Sequence, residues 1–163
     1  MNQELELVQI RLITERTLYS KSMLRSPKDV INFISEEFST LDREVLGILN
    51  LNSQNQVINM NIVSVGSINN ALVSPREVFK SSILSNAASI IIFHNHPSGN
   101  VNPSKDDIKI TETLRAAGSI LDIPVLDHII IGGRNRDTYS FLEQGVLRKD
   151  MLRVKKSSKR ISP

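Results

Sequence analysis

Near the middle of the chain lies Ser89-Ile90-Ile91-Ile92-Phe93, a short run without a charge. A continuous apolar run of strand length reads as a strand covered on both faces. A second buried run, Val125 to Ile131, is closed by Gly132-Gly133. Between the two, Ser104-Lys105-Asp106-Asp107 opens a helix that runs to about Leu121 and is stopped before Pro124. Strands that need cover on both sides, alternating with helices, imply a layered fold.

The rest of the chain fills in that frame. Ser26-Pro27-Lys28-Asp29 has a capping serine, a proline pre-set for the first turn and an early acid. Val30, Phe33, Ile34, Phe38 and Leu41 follow at helical spacing. Arg43–Asn52 and Gln56–Gly66 read as strands joined by the turn Asn52-Ser53-Gln54-Asn55, a hairpin. Ser74-Pro75-Arg76-Glu77 looks the better helix start, because Glu77 would complete a capping box; Val78, Phe79, Ile83 and Leu84 would be its buried stripe. Glu4–Thr14 alternates imperfectly and reads as a strand, and Tyr139–Leu142 as a last short one. The expectation is one α/β or α+β domain with a mixed sheet, over residues 25–147, after an N-terminal strand or extension, 1–24, and before a basic tail, 148–163.

Charge sets that tail apart. Residues 148–163 carry +6 and residues 1–147 carry −3, so the overall +3 belongs to the tail. A mildly acidic body argues against a broad nucleic-acid footprint on it. Nucleic acid or an acidic partner is left to the tail, 148–160, whose plainer reading is a solvated terminus. There is no cysteine, which excludes disulfides, thiolate-ligated zinc, iron–sulfur clusters and a cysteine nucleophile. Any metal must be held by His, Asp and Glu. No apolar run is long enough to cross a bilayer and no secretory signal opens the chain, so the expected location is the cytoplasm.

Two of the three histidines, His94 and His96, sit where the apolar run ends. Residues i and i+2 of a strand share a face. Asp107 falls in the first turn of the next helix, and the Pro/Gly/Asn loop 97–103 can fold that turn back against the strand end. Two imidazoles and a carboxylate then make a three-ligand zinc site with a fourth position left for water. A proton acceptor that is not a ligand is also needed, and Glu44 is the candidate, a carboxylate just before an apolar strand. A strand-end acid facing water is the plainer reading of Glu44. Ser104 is either the helix cap or an oxyanion donor; one hydroxyl does not easily do both. Asp127 could support a zinc-bound imidazole from behind, or be a hydrogen-bonded strand residue, as could its neighbour His128. The string His94-Asn95-His96 is not an HNH nuclease motif, whose residues are spread over a ββα unit.

Glu44-Val45-Leu46-Gly47, His94-x-His96-Pro97 and Ser104-x-x-Asp107 resemble the JAMM signature of JAB/MPN zinc metalloproteases. Ser74-Pro75-Arg76-Glu77-Val78, Asn86-Ala87-Ala88, His94–Gly99 and Leu126–Gly133 resemble its RadC-like bacterial branch. The resemblance covers residues 25–147. It implies a three-layer, cytidine-deaminase-like fold, one zinc per chain on His94, His96 and Asp107, Glu44 as general base and Ser104 at the oxyanion. It implies hydrolysis of a peptide or isopeptide bond in a protein or peptide substrate. Longer relatives carry an N-terminal helix-hairpin-helix region for which residues 1–24 show no pattern, so DNA binding through such a region is not expected. A non-catalytic MPN-type scaffold and a DNA-repair-associated accessory protein are the competing readings; the four polar positions speak against the scaffold.

Overall fold

The computed structural model describes residues 7–21, 23–66, 73–133 and 136–147. The basic tail lies outside them. The elements run α1 (Pro27–Phe38), β1 (Val45–Leu51), β2 (Val57–Val65), α2 (Pro75–Leu84), β3 (Ser89–His96), α3 (Lys105–Leu121), β4 (Val125–Gly132) and β5 (Thr138–Ser140). The five strands form one sheet in the order β2-β1-β3-β4-β5. β1 and β2 are the expected antiparallel hairpin; β1 and β3 are also antiparallel, while β3 and β4 are parallel. The sheet is therefore mixed, and the molecule is α/β as expected.

Strand periodicity splits the core into two layers of packing. Ile90 and Ile92 of β3 point to one face, with Leu46 and Ile48 of β1, and pack on Val78 and Phe79 of α2 and Ile110 and Leu114 of α3. Ile91 and Phe93 point to the other face, with Leu49 and Leu51, and pack on Val30, Ile31, Ile34 and Phe38 of α1. Helices thus cover the sheet on both sides, which is why β1 is buried along its whole length. Burying each of these side chains contributes about 1.5–3 kcal/mol. The α3-to-β4 turn is tight: a Cβ on Gly118 would lie 2.5 Å from the carbonyl oxygen of Ile123.

Four expectations need correction. The proposed strand Glu4–Thr14 falls partly outside the described residues, and residues 7–14 form no strand. Leu7, Val8, Ile10 and Ile13 are exposed there, and among the described residues the outer edge of β2 stays unpaired although residues 10–13 lie beside it. Ser74 precedes α2 but its side chain makes no capping bond. Glu77 is drawn instead to Lys80, 2.6 Å away, so the reciprocal box does not form. The true capping boxes open α1 and α3. Ile83 is exposed, because the inward positions of that turn fall on Ser81 and Ser82. Ser81 meets Asn50 of β1, whose amide also donates to Asn59 of β2, so the stripe begins as expected with Val78 and Phe79 and gives way to a polar seam where Ile83 was expected. β5 forms one residue earlier than expected and ends before Phe141, which turns inward. Among the described residues no helix is long and apolar enough to cross a membrane.

Candidate metal centre

β3 runs to His96, so the apolar run and both histidines belong to one strand. The odd–even alternation that buries Ile90 and Ile92 toward α2 and α3 carries His94 and His96 to the same face. Their Nε2 atoms lie 2.9 Å apart. The chain then turns: the Gly99 amide donates to the His96 carbonyl at 3.0 Å, and His96 Nδ1 donates to the Asn100 carbonyl at 2.6 Å. Gly133 lets the loop lie close against the end of β4, since a Cβ there would sit 2.8 Å from the Pro97 carbonyl oxygen.

Helix α3 begins at the far side of this loop. Ser104 Oγ accepts from the Asp107 amide at 3.1 Å, and Asp107 Oδ2 accepts from the Ser104 amide at 2.7 Å. The Ser104 hydroxyl also donates to that same oxygen, at 2.6 Å. The box commits Oδ2 and so aims the carboxylate: Asp107 Oδ1 stands 3.2 Å from His94 Nε2, and Oδ2 3.6 Å from His96 Nε2. One donor atom from each of the three residues falls within 4.8 Å of the others. Ser104 is therefore the cap, with its proton directed at Asp107.

Burial decides the protonation of these groups. His94 is wholly buried, and desolvation pushes its pKa down to about 4 against the pull of Asp107. Burial would raise Asp107, but His96, His94 and the Ser104 hydroxyl and amide together hold it well below the usual carboxylate range. His96 is raised, first by Asp107, with the charge of Glu44 adding to the effect. At neutral pH the site thus presents a carboxylate and a neutral imidazole, with both Nε2 atoms directed inward. His96 spends the proton on its Nδ1 in the bond to Asn100. Two imidazoles and a carboxylate without a thiolate are a set that suits zinc and other divalent first-row ions. The residues present fit a metal ion.

Glu44 comes to the site along β1. Leu46 pairs with His94 across the antiparallel ladder, so continuing that register sets Glu44 beside His96. It lines an open cleft of about 260 Å³ together with His96, Ser98, Asn100, Asn102, Ser104 and Asp107. Asn95, pointing to the opposite face from the histidines, holds the backbone on either side of Glu44: its Oδ1 accepts from the Val45 amide at 2.7 Å and its Nδ2 donates to the Arg43 carbonyl at 3.0 Å.

The structure separates Asp127 from His128. Asp127 turns away from His94, His96 and Asp107 and accepts from the Ser140 hydroxyl at 2.6 Å, the Leu142 amide at 2.9 Å and its neighbour's amide at 2.7 Å. It anchors the turn after β5. His128 turns inward, its Nε2 2.8 Å from His94 Nδ1 and its Nδ1 2.6 Å from Thr111 Oγ1. The sequence reading brought together Glu44, His94, His96, Ser104 and Asp107; the fold sets Glu44, His96, Ser104 and Asp107 around one cleft, with His94 buried against Asp107 and His96. It missed Asn95 and Thr111. The signal for Asn95 was its position between two ligands, which forces it to the opposite face; for Thr111 it was the i+4 spacing from Asp107, one turn further along the same helix face.

The chain matches the RadC-like JAB domain over residues 24–146. It is 42% identical over 146 residues to a UPF0758 protein of Chlorobium chlorochromatii, covering 88% of this chain and 65% of that one. It is 50% identical over 113 residues to a UPF0758 protein of Moorella thermoacetica, covering 69% and 49%. A UPF0758 protein of Clostridium beijerinckii is 42% identical over 137 residues, covering 84% and 59%. The chain spans about half to two thirds of the length of these curated relatives.

Proposed function

The chain belongs to the RadC-like JAB domain family, and from that premise we propose that it is a metal-dependent hydrolase that cleaves a peptide or isopeptide bond, with zinc as its ion. The observation that carries this reading is the clustering of His94, His96 and Asp107 at a cleft that His96, Asp107 and Glu44 line. His94, His96 and Asp107 would hold the ion. When bound, the ion supplies Lewis acidity, which lowers the pKa of water from ~15.7 to about 7 and polarises a carbonyl.

The remaining chemistry belongs to the side chains. Glu44 accepts the proton of the attacking water and returns it to the departing amine, so that the amine leaves neutral. Asn95 fixes the peptide groups on either side of Glu44 and so the place on the chain from which its side chain starts. Ser104 aims Asp107. To serve an oxyanion as well, its hydroxyl has to release Asp107 Oδ2, giving up a charge-assisted bond for another of the same kind.

The test is metal analysis of the wild type beside Glu44→Gln, followed by a peptide-library cleavage screen. The expected profile is about one zinc per chain in both and cleavage by the wild type alone, with the variant slower by 10²–10⁴-fold. Loss of zinc from Glu44→Gln would make Glu44 a ligand rather than a base. A metal-loaded wild type that cleaves nothing in the library would favour the scaffold reading.

A further inference from the structure

Behind His94 stand two buried side chains, Thr111 and His128, that the hydrolytic chemistry does not use directly. Thr111 is 2% exposed, and His128 and His94 are fully buried. Thr111 Oγ1 stands 2.5 Å from the Asp107 carbonyl oxygen and 2.6 Å from His128 Nδ1. His128 Nε2 stands 2.8 Å from His94 Nδ1. We propose that Thr111 and His128 are positioning residues that lock the His94 ring with its proton on Nδ1 and its lone pair on Nε2, facing the metal position.

The protons follow from one fixed end. A carbonyl oxygen only accepts, so the single proton of the Thr111 hydroxyl goes to the Asp107 carbonyl. Thr111 Oγ1 must then accept from His128, which places a proton on His128 Nδ1. His128 is fully buried against Thr111, His94 and Phe141, where a second ring proton would face no carboxylate, so its Nε2 carries a lone pair and accepts from His94 Nδ1. With its one ring proton committed to Nδ1, His94 is left with Nε2 bare. The ring faces His96 and Asp107 as a pure donor. His96 is oriented by a different device, its Nδ1 proton being held by the Asn100 carbonyl. The line starts and ends at the same centre, because Asp107 supplies one ligand through its carboxylate and the fixed acceptor through its carbonyl. Ring stacking of His128 on Phe141, with centroids 4.9 Å apart and planes at 14°, keeps the middle ring from turning.

Thr111→Val keeps the shape and removes the acceptor. His128 then has no partner for a proton on Nδ1 and moves it to Nε2, which in turn drives the proton of His94 to Nε2, the atom meant for the metal. This inference rests on the proposed metal site, so the experiment reads the rings and the metal separately. Full-length chain labelled with ¹⁵N-histidine is examined by two-bond proton–nitrogen correlation after chelation, and zinc is then titrated in. In the wild type, His94 and His128 are expected as Nδ1–H tautomers. In Thr111→Val both are expected as Nε2–H, with zinc binding weakened 10–100-fold, and Thr111→Ser is expected to restore both readouts. A residue with a merely structural role would leave the tautomers where they were. Wild-type rings with protons on Nε2 would overturn the proposal, and that spectrum decides even if Thr111→Val fails to fold. A Thr111→Val chain with unchanged tautomers and zinc affinity would overturn it too. A wild type that shows the expected tautomers but binds no zinc would support the locked ring and overturn the metal reading instead.

Discussion

Two helices in this molecule begin with the same device and put it to different ends. At α1, Ser26 and Asp29 form a capping box: Asp29 Oδ2 accepts from the Ser26 amide at 2.9 Å and hydroxyl at 2.9 Å, and the Asp29 amide donates back at 3.2 Å. At α3, Ser104 and Asp107 repeat the pattern bond for bond, on the same oxygen. What differs is the setting. Asp29 is partly exposed, and its further partner on Oδ2 is the Arg25 amide at 3.0 Å. Asp107 is 3% exposed and has a histidine 3.2 Å from its other oxygen. In the buried case the box leaves Oδ1 directed into a cleft between two imidazoles. A capping motif thus becomes part of a site when the surrounding fold gives the uncommitted oxygen a partner.

The largest expected effect tests that difference head on. Asp107→Ala should weaken zinc binding by at least about 100-fold, while Asp29→Ala should leave it unchanged, as measured by chelator competition. Equal affinity in the two variants would erase the distinction between the ends.

Acid should separate the two ends next. His94 has its pKa depressed to about 4 from an ordinary 6.5, so the chain excludes a proton there that the unfolded state takes up. In the chelated chain, stability is full above pH 6.5 and falls as pH drops toward 4, by about 3 kcal/mol. His128 adds to the fall, being depressed by burial in the same direction. His96 does not offset it, since a raised histidine has given its full stabilisation once pH is below 6.5. Asp29, held low by the Ser26 hydroxyl, loses its contribution only below 3.8, so α1 is unaffected across this window. Urea titrations from pH 7 to pH 4 should show the loss in wild type and a flatter profile in His94→Asn; identical slopes would break the assignment.

Removing the serines should then show what the two boxes share. Ser26→Ala and Ser104→Ala should each cost about 1 kcal/mol in denaturant stability. Ser104→Ala alone should also weaken zinc binding, because it releases Asp107. The smallest effect belongs to the third helix start. Ser74→Ala removes no capping bond, and should change stability by less than about 0.5 kcal/mol. A loss as large as that of Ser26→Ala would show that Ser74 caps α2 in solution.

How much of this was legible in the sequence depended on whether a residue acts through its near neighbours or across the fold. The buried strands β3 and β4, the β1–β2 hairpin and the cap of α3 are short-range features, and each could be read from a run or a spacing. The clustering of His94, His96 and Asp107 was readable for the same reason, since a strand end, a turn and a first helical turn follow one another directly. Ser74 misled because its string is as good as that of Ser26; the competition from Lys80 for Glu77 is a side-chain preference that no capping pattern encodes. Glu4–Thr14 misled because alternation states which side chains a strand would bury and not whether its backbone pairs; among the described residues the outer edge of β2 is open, yet residues 7–14 do not take it up. His128 and Asp127 were left as alternatives, since which of two neighbours faces the site depends on the phase of β4 against β3. Asn95 bridges 50 residues to Val45, a distance over which local pattern is silent.

The three residues that could hold an ion, His94, His96 and Asp107, lie on one strand–turn–helix unit, whereas Glu44 arrives from a strand 50 residues earlier, held by Asn95. In the time order of folding these are different kinds of contact. Closing a short loop carries a small entropic cost and is fast, while pairing β1 with β3 has to gather a far longer stretch of chain. The part of the cleft that would grip an ion therefore assembles from its own neighbourhood, and the part that would move a proton is completed only when the hairpin docks. A chain caught between those two moments would have its grip before its chemistry.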